Sequence, residues 1–119
     1  MSEDSTAFDS VLDLCQNKRR RIVLGALTEE ERSLTLNDLT KAVLKYNHHT
    51  PLTAASADVL SEIRVSLYHA HLPKLAAGGL ITYDSKAELV EPTERLAQVQ
   101  GTVSTILTAD SSLEAPIEL

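Results

Sequence analysis

Tryptophan is absent from the 119 residues, phenylalanine occurs once and tyrosine three times. A core of this kind must be assembled from Leu, Val, Ile and Ala rather than from stacked rings. No apolar run approaches the roughly 20 residues needed to cross a bilayer. The start, Met1-Ser2-Glu3-Asp4-Ser5, is acidic and polar, the reverse of a signal peptide. These absences lead to the expectation of a cytoplasmic protein with no membrane partner. Cys15 is the single cysteine, which excludes an intramolecular disulfide and a CxxC metal site. It lies in an apolar run and reads as a small core residue.

Catalytic signatures are missing too. There is no Gly-rich phosphate loop, no GxSxG and no HExxH. Acidic pairs such as Glu29-Glu30 fall in a polar break, where nothing apolar would raise a carboxyl pKa. Four histidines invite a metal reading, but His69 and His71 stand about 200° apart on a helix. His48 and His49 are adjacent and diverge. The expectation is no enzyme, no cofactor and no metal site.

What is present is an excess of acid, with a formal net charge of −6. That is a poor start for a nucleic-acid binder until the charge is located. Residues 1–16 hold Glu3, Asp4, Asp9 and Asp13 and no base. Residues 91–119 hold Glu91, Glu94, Asp110, Glu114 and Glu118 against Arg95. The acidity therefore lies at the two ends, and residues 17–90 are mildly basic. Acid excess with few aromatics also suits a salt-loving host.

Apolar spacing predicts a mainly helical single domain with a small β-hairpin. Phe8, Val11, Leu12, Leu14 and Cys15 mark a first helix, and Asn17 caps a second over Lys18–Leu27. Glu29 to Arg32 form a polar break. Thr35 with Asp38 makes a capping box, with Leu34 and Leu39 as a hydrophobic staple across it, and Leu34-Thr35-Leu36 can pair as a minor strand. Pro51 ends the run of Asn47-His48-His49-Thr50. A long helix follows from Ser56 to Ala77, with Leu60, Ile63, Leu67, His71 and Leu75 facing inward and a bend at Pro73. Gly78-Gly79 close it as left-handed residues. Leu80–Tyr83 and Glu88–Val90 form the hairpin, and a last helix carries Leu96, Val99, Val103 and Ile106 on one side. The expected organisation is a disordered start at 1–7, a folded unit at 8–92, a helix at 93–108 and a flexible tail at 109–119.

Helix, helix, short strand, helix, helix and hairpin is the order of a winged helix-turn-helix. The run from Val65 to Ile81 resembles the recognition helix and first wing strand of arsenical-repressor-like (ArsR-like) regulators, through His71-Leu72, Leu75 and Gly79-Leu80-Ile81. Asn17 to Leu24 is similar to the first core helix of that group. The Arg-rich helix, the Leu-x-Asp-Leu helix and the Val-Ser-Leu-Tyr-His-x-His-Leu-Pro-Lys-Leu run resemble a family of small haloarchaeal winged-helix proteins. The resemblance spans residues 8–92 and implies a DNA-binding transcriptional regulator. Two features depart from it. About nine residues, Asn47 to Ala55, replace the usual tight turn before the recognition helix. The cysteine pair of the metal-sensing variants is absent, so metal sensing is not carried over.

A recognition helix buries one side and turns the other to a major groove about 12 Å wide. Glu62, Val65, Ser66, His69 and Pro73 lie opposite the apolar face. Ser66 and His69 are therefore candidates for base-edge hydrogen bonds, Tyr68 for a phosphate, and Lys86 for a wing contact. Arg64 and Lys74 complete the set, although Arg64 lies near the core face and Lys74 also suits a helix C-terminus. Lys18, Arg19 and Arg20 stand in the first turn of a helix, where the macrodipole disfavours cations. Their partner is either an acid of the chain (Asp9, Asp13 or Glu29–Glu31) or the phosphate backbone. Double-stranded DNA and a homodimer through the last helix are the expected partners. The alternative is a winged-helix module that binds another protein and no DNA; it would scatter these cations and expose an apolar patch.

Overall fold

The computed structural model describes residues 2–119, with side chains from Phe8 onward. Of the disordered start expected at residues 1–7, Met1 lies outside the described residues, and residues 2–7 belong instead to the first helix. The chain runs α1 (Ser2–Leu14), α2 (Lys18–Glu30), β1 (Leu34–Thr35), α3 (Leu36–Asn47), a 3-10 turn (Leu52–Ala54) and α4 (Ala57–Ser66). It continues through a π turn (Leu67–His71), α5 (Leu72–Ala77), β2 (Ile81–Asp84), β3 (Leu89–Pro92), α6 (Glu94–Gln98) and α7 (Gln100–Ala109). The fold is mainly α with one small antiparallel sheet of order β1-β3-β2.

Local chemistry sets the helix starts. Asn17 caps α2, its side-chain oxygen accepting from the backbone of Arg19 and Arg20. Thr35 and Asp38 form the reciprocal capping box of α3, and Leu34 and Leu39 beside it are fully buried. β1 then pairs with β3, Leu34 opposite Val90 and Thr35 opposite Leu89. Thr35 thus ends a strand and caps a helix. The core is aliphatic, drawn from Ile22, Leu24, Leu27, Leu36, Leu44, Ile63, Leu67, Leu72, Leu75 and Leu80 among others.

The long helix meets Pro73 by widening rather than breaking. Pro73 has no N–H for the carbonyl of His69, and its ring crowds that carbonyl. The preceding turn opens into π geometry, with the Leu72 N–H donating to Leu67. The extra residue shifts the helical phase, so Leu72 is fully buried while Tyr68, His69 and Ala70 are exposed. Of the two closing glycines only Gly79 is left-handed, at φ +80°; Gly78 stays right-handed at φ −76°. Gly78 serves a close approach instead, because a Cβ there would stand 2.5 Å from Leu14 Cδ1.

Two expectations for the C-terminal part are corrected. The last helix is two helices broken at Val99, and Leu96, Val103 and Leu107 are buried in the chain's own core. Residues 109–119 are not a loose tail. Leu113 and Ile117 are buried, the Glu118 N–H donates to the Tyr46 hydroxyl at 2.9 Å, and Ile117 fills the notch where a Cβ on Gly25 would stand.

Candidate nucleic-acid interface

The arginines at the start of α2 have a local explanation. α1 ends immediately before them, and its last carbonyls carry the negative end of a helix dipole. Arg20 Nε donates to the Leu14 carbonyl at 2.7 Å, and Arg21 Nη1 to that of Cys15 at 2.6 Å. One helix's C-terminus thereby offsets the cost of cations at the next helix's N-terminus. Arg21 also pairs with Asp110 at 3.1 Å, which fastens the C-terminal segment. The Ser112 hydroxyl and then Arg21 hold the Asp110 carboxyl below its ordinary range.

Arg19 turns toward α4. Its guanidinium grips Glu62 with both nitrogens, at 2.5 and 2.7 Å, and donates to Ser66 Oγ at 2.6 Å and toward His48 at 3.1 Å. Its side chain is only 14% exposed. The Arg19 hydrogen bond lowers the Glu62 pKa below the usual carboxylate range. Ser66, expected to face the groove, is half-buried, accepting from Arg19 and donating to the Ile63 carbonyl at 3.1 Å. The acids that answer the cluster are thus Glu62 and Asp110, not the nearby Asp9 or Glu29–Glu31. Asp13 instead faces Lys74, its carboxylate 4.0 Å away.

The outward side of the α4–α5 helix remains open. Val65 is 53% and Tyr68 37% exposed, and His69, Ala70 and Pro73 are exposed beside them. Tyr68 meets the His69 ring edge-on at 4.8 Å and the Tyr83 ring of β2 edge-on at 6.0 Å. Arg64 ties the helix to the hairpin through Glu88 at 3.0 Å. Lys86 is exposed at the hairpin turn, where Asp84 Oδ1 accepts from the backbone of Lys86 and Ala87. Tyr68, His69, Lys74 and Lys86 are exposed, and the helix meets the hairpin through Arg64–Glu88 and Tyr68–Tyr83. Arg19, Arg20 and Ser66 are turned into the fold. Lys18, half-buried at the head of α2, has no carboxylate within ion-pair range among the described residues.

His71, expected in the core face, is half-buried with Nδ1 3.5 Å from Arg20 Nη1. Burial first, then Arg20 and Arg19, lower its pKa. Sequence reasoning passed over Glu62, Glu88 and Asp110. Their only signal was that a basic cluster inside a folded unit needs anionic neighbours somewhere in the chain.

Residues 12–91 match the family described as Domain of unknown function (DUF7344). The chain belongs to the DUF7344 family. The DUF7344 stretch opens in α1 and closes in β3, so it takes in the arginine cluster, the α4–α5 helix and the hairpin, and leaves α6 and α7 outside. No curated protein and no solved structure matches the chain. No helix among the described residues is long and apolar enough to cross a membrane.

Proposed function

We propose that this DUF7344 chain is a DNA-binding transcriptional regulator of the arsenical-repressor-like type. The α4–α5 helix is its recognition helix and the β2–β3 hairpin its wing in a winged helix-turn-helix. One observation carries the reading: the helix's outward side is open and is joined to the hairpin through Arg64–Glu88 and Tyr68–Tyr83. In this role His69 offers its ring nitrogens to base edges, Tyr68 its hydroxyl to the backbone, and Lys18, Lys74 and Lys86 their ammonium groups to phosphates. Arg19 joins them only when Glu62 releases it.

Genome-wide crosslinking, then fluorescence anisotropy on the recovered sites over a salt series, tests the assignment. DNA binding gives a negative log–log slope of about −0.9 per phosphate neutralised. His69→Ala lowers discrimination between recovered and scrambled sites by roughly tenfold, and Glu62→Gln steepens the salt slope by freeing Arg19. Affinity that ignores salt, or recovered sites bound no better than scrambled ones, sinks the reading. Such a result would favour the protein-binding alternative, which gains support from the exposed Phe8 and Leu12.

A homodimer is the second part of the proposal. The apolar stripe of the last helices is already occupied by the core, so the pairing surface is the shallow groove of Phe8, Leu12, Gly101 and Ile106 between α1 and α7. Dimeric helix-turn-helix proteins read two half-sites about one DNA turn apart, which is the use a pair joined there would serve. Light scattering on the full chain is expected to give twice the chain mass, falling to the single mass in Phe8→Ser. A single mass for the unaltered chain overturns the dimer and leaves the DNA reading in place.

A further inference from the structure

The loop that replaces a tight turn between α3 and α4 has a surface of its own. His48 caps the end of α3, His49 takes φ +52°, and Pro51 leads into the short 3-10 turn Leu52–Ala54. That path lays Leu52 beside α3, where it stays 50% exposed. Between this loop and α3 lies an open groove of about 520 Å3. Its size falls within the range of small-molecule sites, about 300–1,000 Å3.

The lining has two characters. Pro51, Leu52 and Leu119 supply exposed hydrocarbon over the buried Ala42 and Leu44, and Lys41, Lys45 and His49 supply the polar rim. Lys41 and Lys45 stand one helical turn apart on the same side of α3. Lys45 is held in place, its ammonium 3.3 Å from the Glu118 carbonyl and 5.1 Å from the Tyr46 ring centroid. No carboxylate side chain is among the lining residues. A cationic rim above an apolar floor selects a molecule of opposite charge with an apolar body.

We propose that this groove binds a small amphiphilic carboxylate, its head between Lys41, Lys45 and His49 and its hydrocarbon body against Pro51, Leu52 and Leu119. Binding stands apart from the DNA reading. Its consequence rests on that reading: the loop it grips runs directly into Ser56, the N-cap of α4. An occupied groove fixes the angle at which the recognition helix leaves the domain, which makes the carboxylate an effector.

The test titrates the full chain with decanoate and, separately, with decyltrimethylammonium, which carries the same tail and the opposite charge, both below micelle formation. Backbone amide shifts report the site. Decanoate is expected to bind saturably, one per chain, moving the amides of Lys41, Lys45 and residues 49–52. The cationic probe should bind at least about tenfold more weakly, and Lys41→Gln/Lys45→Gln should weaken decanoate by about tenfold at unchanged Tm, as the loss of charge-assisted hydrogen bonds implies. Leu52→Ser should weaken both probes. Absence of saturable decanoate binding, equal affinity for both probes, shifts centred on Phe8, Leu12 and Ile106, or indifference to the double variant each overturns the proposal. None of these readouts contains DNA, so the groove and the DNA reading fail separately.

Discussion

Leu67→Ala is expected to lower the unfolding free energy by about 3 kcal/mol or more. Leu67 is fully buried and is the first residue of the π turn. Its carbonyl accepts the wide-turn hydrogen bond from Leu72, and its side chain lies in the core with Ile63 and Leu75. Truncation removes buried methyl groups and leaves a cavity that Pro73 keeps from closing, since the ring blocks a return to regular α geometry. For a domain of this size the melting temperature should fall by roughly 10 °C or more. Leu67→Met conserves volume and should cost less than about 1.5 kcal/mol. Urea denaturation of the three proteins checks this. A cost under about 1 kcal/mol for the alanine variant would mean that the turn is not held by its leucine.

Arg20→Ala is expected to cost about 2 kcal/mol of stability, the scale of a charged hydrogen bond lost at a partly buried site. Arg20 closes the end of α1 through the Leu14 carbonyl and faces His71. The second consequence is a change in titration. His71 holds its lowered pKa by burial and, in part, by Arg20, so in Arg20→Ala its titration should move up toward the ordinary histidine value, as seen in its ring proton shifts. The sign of the pH effect follows. With the folded pKa depressed, the unfolded chain takes up the proton first as pH falls. The stability His71 contributes is therefore complete above the ordinary histidine pKa and is lost as pH drops through the lowered folded value. Arg20→Ala should flatten that slope. Unchanged stability together with uniformly weaker DNA binding would return Arg20 to the phosphate role that its sequence position suggests.

The contrast between those two roles marks where sequence reasoning reached its limit. Asn17, Thr35, Asp38 and Ser56 were legible because a cap is a contact within three residues of itself. The hairpin was legible for the same reason, its two strands being separated by a short turn. Periodicity gave the inward side of the α4–α5 helix but not the π turn, whose extra residue moved Leu72 into the core and left Tyr68 outward. Partner choice was not legible. Arg19 meets Glu62 across 43 positions and Arg21 meets Asp110 across 89, and no spacing rule spans such distances. The packed C-terminal segment was missed because Leu113 and Ile117 sit in irregular chain, while the notch that receives Ile117 is recorded only as a glycine inside α2. Of the candidate residues, Tyr68, His69, Lys74 and Lys86 are exposed.

Glu88 has a consequence of its own. Held at φ +52°, it receives the Leu36 N–H on its carbonyl at 2.9 Å and Arg64 on its carboxylate. One residue of the hairpin thus joins the start of α3 to the last turn of α4. A hairpin tied to two helices through one residue has its base positioned before any partner arrives, which lowers the ordering penalty of association. Loss of Glu88 would therefore loosen α3, α4 and the hairpin together rather than any one of them alone.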